Sequence, residues 1–242
     1  MKIALASDLH LEFGTISLEN DGADVLILSG DILVANDLRE RDVYDIKGAQ
    51  DRSNRFHTFF QECCERFPHV IYIMGNHEHY HGDYANTLTI LRSRLGYLRN
   101  LHILDKEIVS IDGVTFIGGT LWTDMNKEDP ITLLHMKDRM NDFRCVTNSN
   151  KQDVVFKGGH YNEAGDFVED PWGTHTRPAK FTPEDSVADH KAMMDYIRQM
   201  IGGKFDQKFV VVGHHAPSKA STHPRYAGET LINGAYSSDL SE

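Results

Sequence analysis

Cysteine is scarce in this sequence, and the few cysteines present do not suggest a disulfide-stabilised protein. Only three occur among 242 residues: Cys63 and Cys64 are adjacent, and Cys145 is distant from both. Small secreted folds are usually held by larger, paired sets of cysteines. The pattern therefore favours a reducing compartment. Cys63 and Cys64 lie on or near the apolar face of a helical pattern, so we expect core residues rather than redox or metal-binding groups.

Long apolar runs are also absent. The N-terminal run extends only from Ile3 to Ala6 before Asp8 follows. Such a run is too short for the core of a signal peptide or for a membrane span. We therefore expect a cytoplasmic protein that does not associate with membranes.

Basic residues are outnumbered by acidic ones. The chain has 25 Lys and Arg against 36 Asp and Glu, which gives a formal net charge of −11. This balance argues against a surface built to bind nucleic acid or anionic lipid nonspecifically, although bound metal ions would neutralise several carboxylates locally. Nucleic acid is thus not the expected partner. Histidine, the commonest metal ligand, is abundant, with 14 residues.

Apolar runs that alternate with helical patterns predict a layered α/β fold. The predicted strands cover residues 3–6, 24–28, 70–74 and 209–212, and the predicted helices cover residues 53–67, 84–98 and 183–201. Two apolar runs that flank Asp112-Gly113 predict a β-hairpin. Residues 35–52 are polar and charged, and we expect a solvated connection there. The length suits one large domain or two small ones.

Residues 141–181 interrupt this rhythm with turn-forming residues and no sustained period. A loop of this length is usually a lid, a binding loop or a mobile segment. His160, Trp172, His175 and Arg177 could contact a substrate there. The alternative is a surface excursion with its own small hairpin.

Four predicted strands end in side chains that can bind a metal ion. These are Asp8 with His10, Asp31, Asn76 with His77, and His214 with His215. Capping would explain one or two such endings, but not four that each follow an apolar run. Asp8 and His10 are two apart, and side chains two apart share one side of an extended chain. Mixed nitrogen and oxygen ligands without a thiolate suit a pair of borderline divalent ions such as Mn²⁺, Fe, Zn²⁺ or Ni²⁺.

These motifs, in this order, resemble those of the calcineurin-like metallophosphoesterases. The resemblance rests on Asp8-Leu9-His10, Gly30-Asp31, Gly75-Asn76-His77-Glu78 and Gly213-His214, and it covers about residues 1–125 and 182–240. The segments 119–122 and 214–218 also resemble the bacterial and phage branch of that superfamily. The resemblance implies an α/β fold, a metallophosphoesterase β-sandwich flanked by helices (α/β/β/α), with residues 141–181 as an insertion. It also implies two divalent metal ions, with Mn²⁺ favoured, at one edge of the sandwich.

The resemblance further implies how the metal ions are held. Asp8, His10 and Asp31 would hold the first ion. Asp31 would bridge to the second ion, which Asn76 and His214 would also bind. A metal-bridging hydroxide would then attack a phosphomonoester or phosphodiester in line. The expected partner is a small phosphorylated substrate.

Other residues would contact the substrate or support the site. His77 resembles the family's histidine that protonates the leaving oxygen or steadies the phosphate. His214 is favoured over His215 as the ligand because it comes first after the strand, which leaves His215, His223 and Arg225 as candidate substrate contacts. Glu78 is expected to orient its neighbours rather than bind metal. His79 and His81 would lie at the rim at most.

The sequence departs from the family in one respect. The family's last motif, Gly-His-x-His on a late strand, does not occur in it. Three explanations are open. They are a single domain over residues 1–242 that lacks its last strands through truncation at the C-terminus, substitution by another histidine such as His223, and loss of full metal binding. In the last case the chain would be a degenerate scaffold that binds a phosphorylated ligand or a protein without turnover.

Overall fold

Two β-sheets lie face to face at the centre of the fold. The computed structural model describes residues 1–41, 49–156, 158–169, 173, 175–204 and 206–241. The strands are β1 (Ile3–Ala6), β2 (Val25–Ser29), β3 (His69–Ile73), β4 (Leu101–Leu104), β5 (Glu107–Ile111), β6 (Val114–Gly118), β7 (Thr147–Phe156), β8 (Gly159–Tyr161), β9 (Phe167–Glu169), β10 (His175–Lys180) and β11 (Lys208–Val212). The first sheet is parallel in the order β1-β2-β3-β4. In the second, β6 lies between β11, which is parallel to it, and β5, which is antiparallel.

Helices cover the outer faces of both sheets. They are α1 (Ala49–Arg66), α2 (Tyr84–Leu95), α3 (Met125–Glu128), α4 (Pro130–Arg139), α5 (Asp142–Cys145), α6 (Pro183–Ile201) and α7 (Thr230–Asn233). Phe56 and Phe60 of α1 and Leu91 of α2 pack against the first sheet. Met193 of α6 packs on Ile117 of β6 in the second sheet. The resulting helix–sheet–sheet–helix order confirms the predicted α/β/β/α sandwich.

The apolar runs at 25–29 and 69–73 have no polar face because the first sheet is buried on both sides. Val25 and Ile27 point into the core between the sheets. Leu26 and Leu28, which alternate with them, point into the core beneath α1 and α2. This is the period of two that a strand imposes on its side chains. Because both faces of these strands are buried, polar and apolar residues do not alternate along them, and the short length of each run is what indicates a strand.

The cysteine prediction is confirmed for Cys63, which is buried in the core beneath α1. Burial raises the pKa of Cys63 to about 12 and that of the half-buried Cys64 to about 11. Thiols with such pKa values are not reactive nucleophiles, because the thiolate is the reactive form.

Several predicted ends of helices and turns are confirmed, and others differ from the observed ones. Thr182 caps α6 through a capping box with Asp185. The hairpin between β5 and β6 turns at Asp112 and Gly113, whose φ values are 47° and 77°. α1 begins at Ala49 instead of residue 53. The solvated connection predicted over 35–52 is only partly correct, since its first residue, Ala35, is buried, and residues 42–48 lie outside the described part of the chain.

Residues 141–181 contain regular structure, which corrects the expectation of a loop without a sustained period. β7 and β10 pair as an antiparallel ribbon with two register shifts, and β8 and β9 form a small hairpin at its far end. The ribbon follows the short helix α5. This arrangement corresponds to the surface excursion with a hairpin. A lid function for the segment stays a prediction.

Among the described residues, no helix has the length and apolar character needed to cross a membrane.

Candidate metal centre

Asp8, His10 and Asp31 meet at the carboxyl edge of the first sheet. One possible ligand atom from each lies within 4.8 Å of those of the other two. The three residues adopt φ values of 55°, 46° and 54°. The chain at Asp8 and His10 is therefore left-handed, and the expectation that an extended strand aligns them is wrong. Asp and His tolerate this conformation better than most residues, and such strain is concentrated at functional sites.

The loops after β1 and β2 are joined by main-chain hydrogen bonds. The Asp8 N–H donates to the Gly30 carbonyl (3.1 Å), and the His10 N–H donates to the Asp31 carbonyl (3.0 Å). Leu11 N–H continues the series to Ile32 (2.9 Å). These bonds set the spacing between the side chains of the two loops.

The Asp31 carboxylate lies at the middle of the cluster. Its Oδ2 is 3.9 Å from Nε2 of His10. Its Oδ1 is 3.5 Å from Nε2 of His214 and accepts a hydrogen bond from the His77 N–H (2.9 Å). The two oxygens of Asp31 therefore face different histidines.

Both of these histidines turn Nε2 toward Asp31 because Nδ1 is engaged elsewhere. Nδ1 of His214 lies 2.8 Å from the Ser29 carbonyl oxygen, and Nδ1 of His10 lies 3.1 Å from Oε1 of Glu12. A carbonyl or carboxylate oxygen only accepts, so Nδ1 of each ring carries a proton and Nε2 is the nitrogen left to face Asp31. Asn76 completes the arrangement, since its Oδ1 is 3.2 Å from Nε2 of His214.

Glu12 is a candidate functional residue that the sequence reasoning missed. Its Oε1 is shared between Nδ1 of His10 and Nδ1 of His77, the latter at 3.4 Å. Its Oε2 is buried and has no hydrogen-bond partner among the described residues. Burial raises the pKa of Glu12, but hydrogen bonds from His77 and His10 outweigh it and bring the pKa below its ordinary value. Burial lowers the pKa of His77. The hydrogen bond to Glu12 and the negative charge of Asp31 raise it by more, so the pKa lies above its ordinary value.

The Glu78 side chain connects the loop after β2 to the loop after β3. Its carboxyl accepts hydrogen bonds from the N–H groups of Asp31 (3.0 Å) and Ile32 (2.8 Å). It also accepts from the Gly75 N–H (2.7 Å) and the Tyr72 hydroxyl (2.8 Å). Burial and the nearby Asp31 carboxylate raise the pKa of Glu78. Its oxygens are occupied by these donors, so Glu78 orients the loops, as expected.

Glycine is required where these loops approach each other most closely. A Cβ on Gly75 would meet Oδ1 of Asp31 and would lie 2.7 Å from the Asp31 nitrogen and 2.9 Å from Nε2 of His214. Atoms do not approach a side-chain carbon this closely. The glycine before Asn76 therefore lets the loop after β3 pack directly against Asp31.

His215 lies apart from the ligand atoms described above. Its ring stacks on Trp122 with centroids 5.1 Å apart. Its Nδ1 is buried without a hydrogen-bond partner in the described part of the chain. Burial lowers the pKa of His215 to about 3, so the ring is neutral at physiological pH. It lines the cavity in front of Asp31, together with Asp8, Asn76 and His214.

That cavity has a volume of about 450 Å³ and includes residues that the sequence did not single out. Tyr80, Arg139 and Asp142 line it. The Tyr80 ring stacks on His77 with centroids 4.1 Å apart, and burial raises the pKa of Asp142. A lone Arg at the end of α4 and an Asp at the start of α5 carry no recognisable signal, since only the tertiary fold brings them to the cavity.

Several predicted site residues lie elsewhere. His223 lines a neighbouring cavity, and the exposed Arg225, whose guanidinium lies 5.5 Å from the Tyr226 ring centroid, lines neither. His79 is buried and bonds Thr87 (2.9 Å), so its placement at the rim is wrong.

The candidate contacts on the ribbon also do not line the cavity. His160, His175 and Arg177 are exposed and are absent from the described walls of the cavity at Asp31. Trp172 lies outside the described residues.

Comparison with known proteins shows the family to which the chain belongs. A sequence model of the family described as calcineurin-like phosphoesterase matches residues 1–234. The chain is 22% identical over 252 aligned positions to the uncharacterized protein L509 of Acanthamoeba polyphaga mimivirus, with 98% of this chain and 77% of that protein covered. It also resembles the crystal structure of the phosphopantetheinyl hydrolase PptH from Mycobacterium tuberculosis, with a TM-score of 0.53 at 15% identity over 98% of this chain and 75% of that one. The last likeness concerns the fold alone. Because the family match runs through both sheets and every loop that meets at Asp31, the chain belongs to the calcineurin-like phosphoesterase family.

Proposed function

We propose that this chain hydrolyses a small phosphomonoester or phosphodiester with two divalent metal ions held on either side of Asp31. The observation that carries the proposal is the placement of the Asp31 carboxylate, whose two oxygens face Nε2 of His10 and Nε2 of His214. Because Nδ1 of each ring is bonded to an acceptor, Nε2 is the nitrogen that an ion beside Asp31 would take as its ligand.

The donor set fits two such ions. Asp8, His10 and Asp31 would hold the first, and Asp31, Asn76 and His214 would hold the second. Nitrogen and oxygen donors without thiolate suit Mn²⁺ best in this proposal, with Fe, Zn²⁺ and Ni²⁺ as alternatives. When bound, the ions supply an activated water for in-line attack and neutralise charge on the phosphoryl oxygens.

The protein's own side chains position the ester and complete the proton transfers. Nδ1 of His77 is held by Glu12, which leaves Nε2 to donate a proton to the leaving oxygen. Arg139 lines the cavity, and its guanidinium can form paired hydrogen bonds to a phosphoryl group. His215, which stacks on Trp122 and lines the same cavity, shapes the space that the ester occupies.

The second candidate function is binding of a phosphorylated ligand without turnover. It is favoured by one observation: the sequence has no Gly-His-x-His. On the assignment above, the described residues supply each ion with three protein ligands. A site with fewer ligands than its relatives could bind ions too weakly to catalyse hydrolysis.

Metal analysis and turnover together separate these candidates. The purified chain would be loaded with Mn²⁺, and its metal content and its hydrolysis of bis-p-nitrophenyl phosphate would be measured beside Asp31→Ala. Asp195→Ala is the matched control, because the Asp195 side chain is 77% exposed. Two ions per chain and a rate that Asp31→Ala abolishes are expected. Fewer than one ion, with no rate above the Asp31→Ala background, would contradict the hydrolase and favour the binding scaffold.

A further inference from the structure

A second cavity adjoins the cavity at Asp31. Its volume is about 480 Å³, which is within the range of pockets that bind small organic molecules. Ala216 and Tyr236 line both cavities. A phosphoryl group bound near Asp31 would therefore carry one of its ester groups past these two residues into the second cavity.

The segment that follows β11 forms the walls of the second cavity. Ile232 and Asn233 of α7 line it, together with Tyr226. The Asn233 side-chain amide donates to the Tyr226 carbonyl (2.7 Å), and the Asn233 N–H donates to the Glu229 carbonyl (2.9 Å). The walls are thus held to one another by hydrogen bonds within the segment, so the cavity has a defined shape.

The chemistry of the walls favours an uncharged occupant. Tyr226, Ile232 and Tyr236 supply aromatic and aliphatic surface, and Asn233 supplies neutral hydrogen-bonding groups. Glu229 and the imidazole of His223 also line the cavity, and no lysine or arginine of the described chain does. Arg139 lies in the neighbouring cavity. A second phosphate or carboxylate placed here would meet the Glu229 carboxylate and no lysine or arginine partner.

We propose that the second cavity binds the organic group of the substrate and selects an uncharged, partly apolar group, such as an aryl ring. The substrate class is thus a phosphoester with a neutral organic group, in contrast to a polyphosphate or a sugar bisphosphate. This inference rests on the proposed hydrolase function, because it assigns a role to the neighbour of the same site.

The test uses three diesters that release the same p-nitrophenolate. Their second ester groups are methyl, phenyl and 4-carboxyphenyl. With the Mn²⁺-loaded full chain, kcat/KM for the phenyl diester should exceed that for the methyl diester by roughly tenfold, and the 4-carboxyphenyl diester should lose this advantage. Ile232→Trp, which fills the cavity, should remove the preference for phenyl. Ile108→Trp is the matched control, since Ile108 is 44% exposed on β5, and it should keep the preference.

Each outcome separates the two proposals. If none of the three diesters is hydrolysed, the proposed function is overturned and the substrate class falls with it. If all are hydrolysed without a preference, or with a preference that Ile232→Trp leaves intact, the cavity proposal alone is overturned. Glu229→Lys provides a second variant should Ile232→Trp fail to fold. It should raise kcat/KM for the 4-carboxyphenyl diester relative to phenyl, and no such change would count against the cavity.

Discussion

Replacing Glu78 with glutamine should destabilise the protein and loosen the candidate metal centre together. The buried Glu78 carboxyl accepts from the Ile32 N–H and the Tyr72 hydroxyl at Oε1, and from the Gly75 and Asp31 N–H groups at Oε2. In Glu78→Gln one of the two oxygens becomes an NH₂ group, which cannot accept. With the NH₂ at the Oε2 position, the Gly75 and Asp31 N–H groups lose their acceptor. With the NH₂ at the Oε1 position, the Tyr72 hydroxyl can turn to accept from it, but the N–H groups of Ile32 and Leu33 (3.5 Å) lose their acceptor. Two buried donors lose their partner in either orientation.

The expected magnitude follows from this count. A buried donor left without a partner costs about 1–3 kcal/mol, so two donors cost about 2–6 kcal/mol. This is a large part of the roughly 5–15 kcal/mol by which domains are stable. For a chain of this size, about 2–4 °C of Tm is lost per kcal/mol. We therefore expect Tm to fall by at least about 4 °C.

The assay is thermal unfolding followed by circular dichroism, with Mn²⁺ affinity measured on the same samples by isothermal titration calorimetry. The affinity should fall about 10- to 100-fold, because the N–H groups of Asp31 and Gly75 lose the group that holds both loops. Glu163→Gln is the matched control, since Glu163 is exposed in the turn between β8 and β9, and it should change stability by less than about 0.5 kcal/mol. A Tm for Glu78→Gln within about 1 °C of the wild type would refute the reasoning. Such a result would mean that the Glu78 carboxyl is protonated in the folded protein and does not accept all of these hydrogen bonds.

Three further predictions concern the same region. Gly75→Ala should abolish Mn²⁺-dependent hydrolysis of bis-p-nitrophenyl phosphate, because its Cβ would displace Asp31. Gly14→Ala is the control and should retain the wild-type rate, because a Cβ at Gly14 would have nothing within 4 Å. An active Gly75→Ala enzyme would contradict the close packing around Gly75. Glu12→Gln should weaken Mn²⁺ binding about 10- to 100-fold by calorimetry, because Glu12 orients a candidate ligand; unchanged binding would remove that role. Burial lowers the pKa of His79 to about 4, below the value of about 6.5 expected in the unfolded chain. The neutral ring is therefore favoured in the folded protein, and the stability that this contributes above pH 6.5 is lost as the pH falls toward 4. Between pH 6.5 and pH 5 the metal-free wild type should therefore lose about 2 kcal/mol more than His79→Gln in urea unfolding, and equal losses would show that His79 protonates freely in the folded state.

The sandwich could be predicted from the sequence because its signals are local. The runs at Val25–Ser29 and His69–Ile73 are short, apolar and bounded by glycine, which identifies buried strands without reference to the rest of the chain. The polar residues that follow such runs must lie at the same edge of a parallel sheet. The grouping of Asp8, Asp31 and Asn76 was therefore accessible from order and spacing, whereas His214 follows β11 of the second sheet and was joined to them through the family resemblance.

The ribbon at 141–181 was not accessible in the same way. Its strands β7 and β10 are exposed along most of their length, so no buried face imposes a hydrophobic period on them. Their pairing is set by the antiparallel register between distant segments. Exposed strands of this kind leave little trace in a single sequence.

What the sequence by itself determined was which residues reach the edge of the sheet, since strand ends are specified by nearby glycines and apolar runs. What only the tertiary structure decided was how those residues are oriented. His214 presents Nε2 to Asp31 because its Nδ1 bonds the Ser29 carbonyl, 185 residues away, while His215 turns onto Trp122. Glu12 became a candidate residue only when the fold brought His10 and His77 to the same carboxylate oxygen. Such orientations depend on contacts between distant parts of the chain, and no local pattern encodes them.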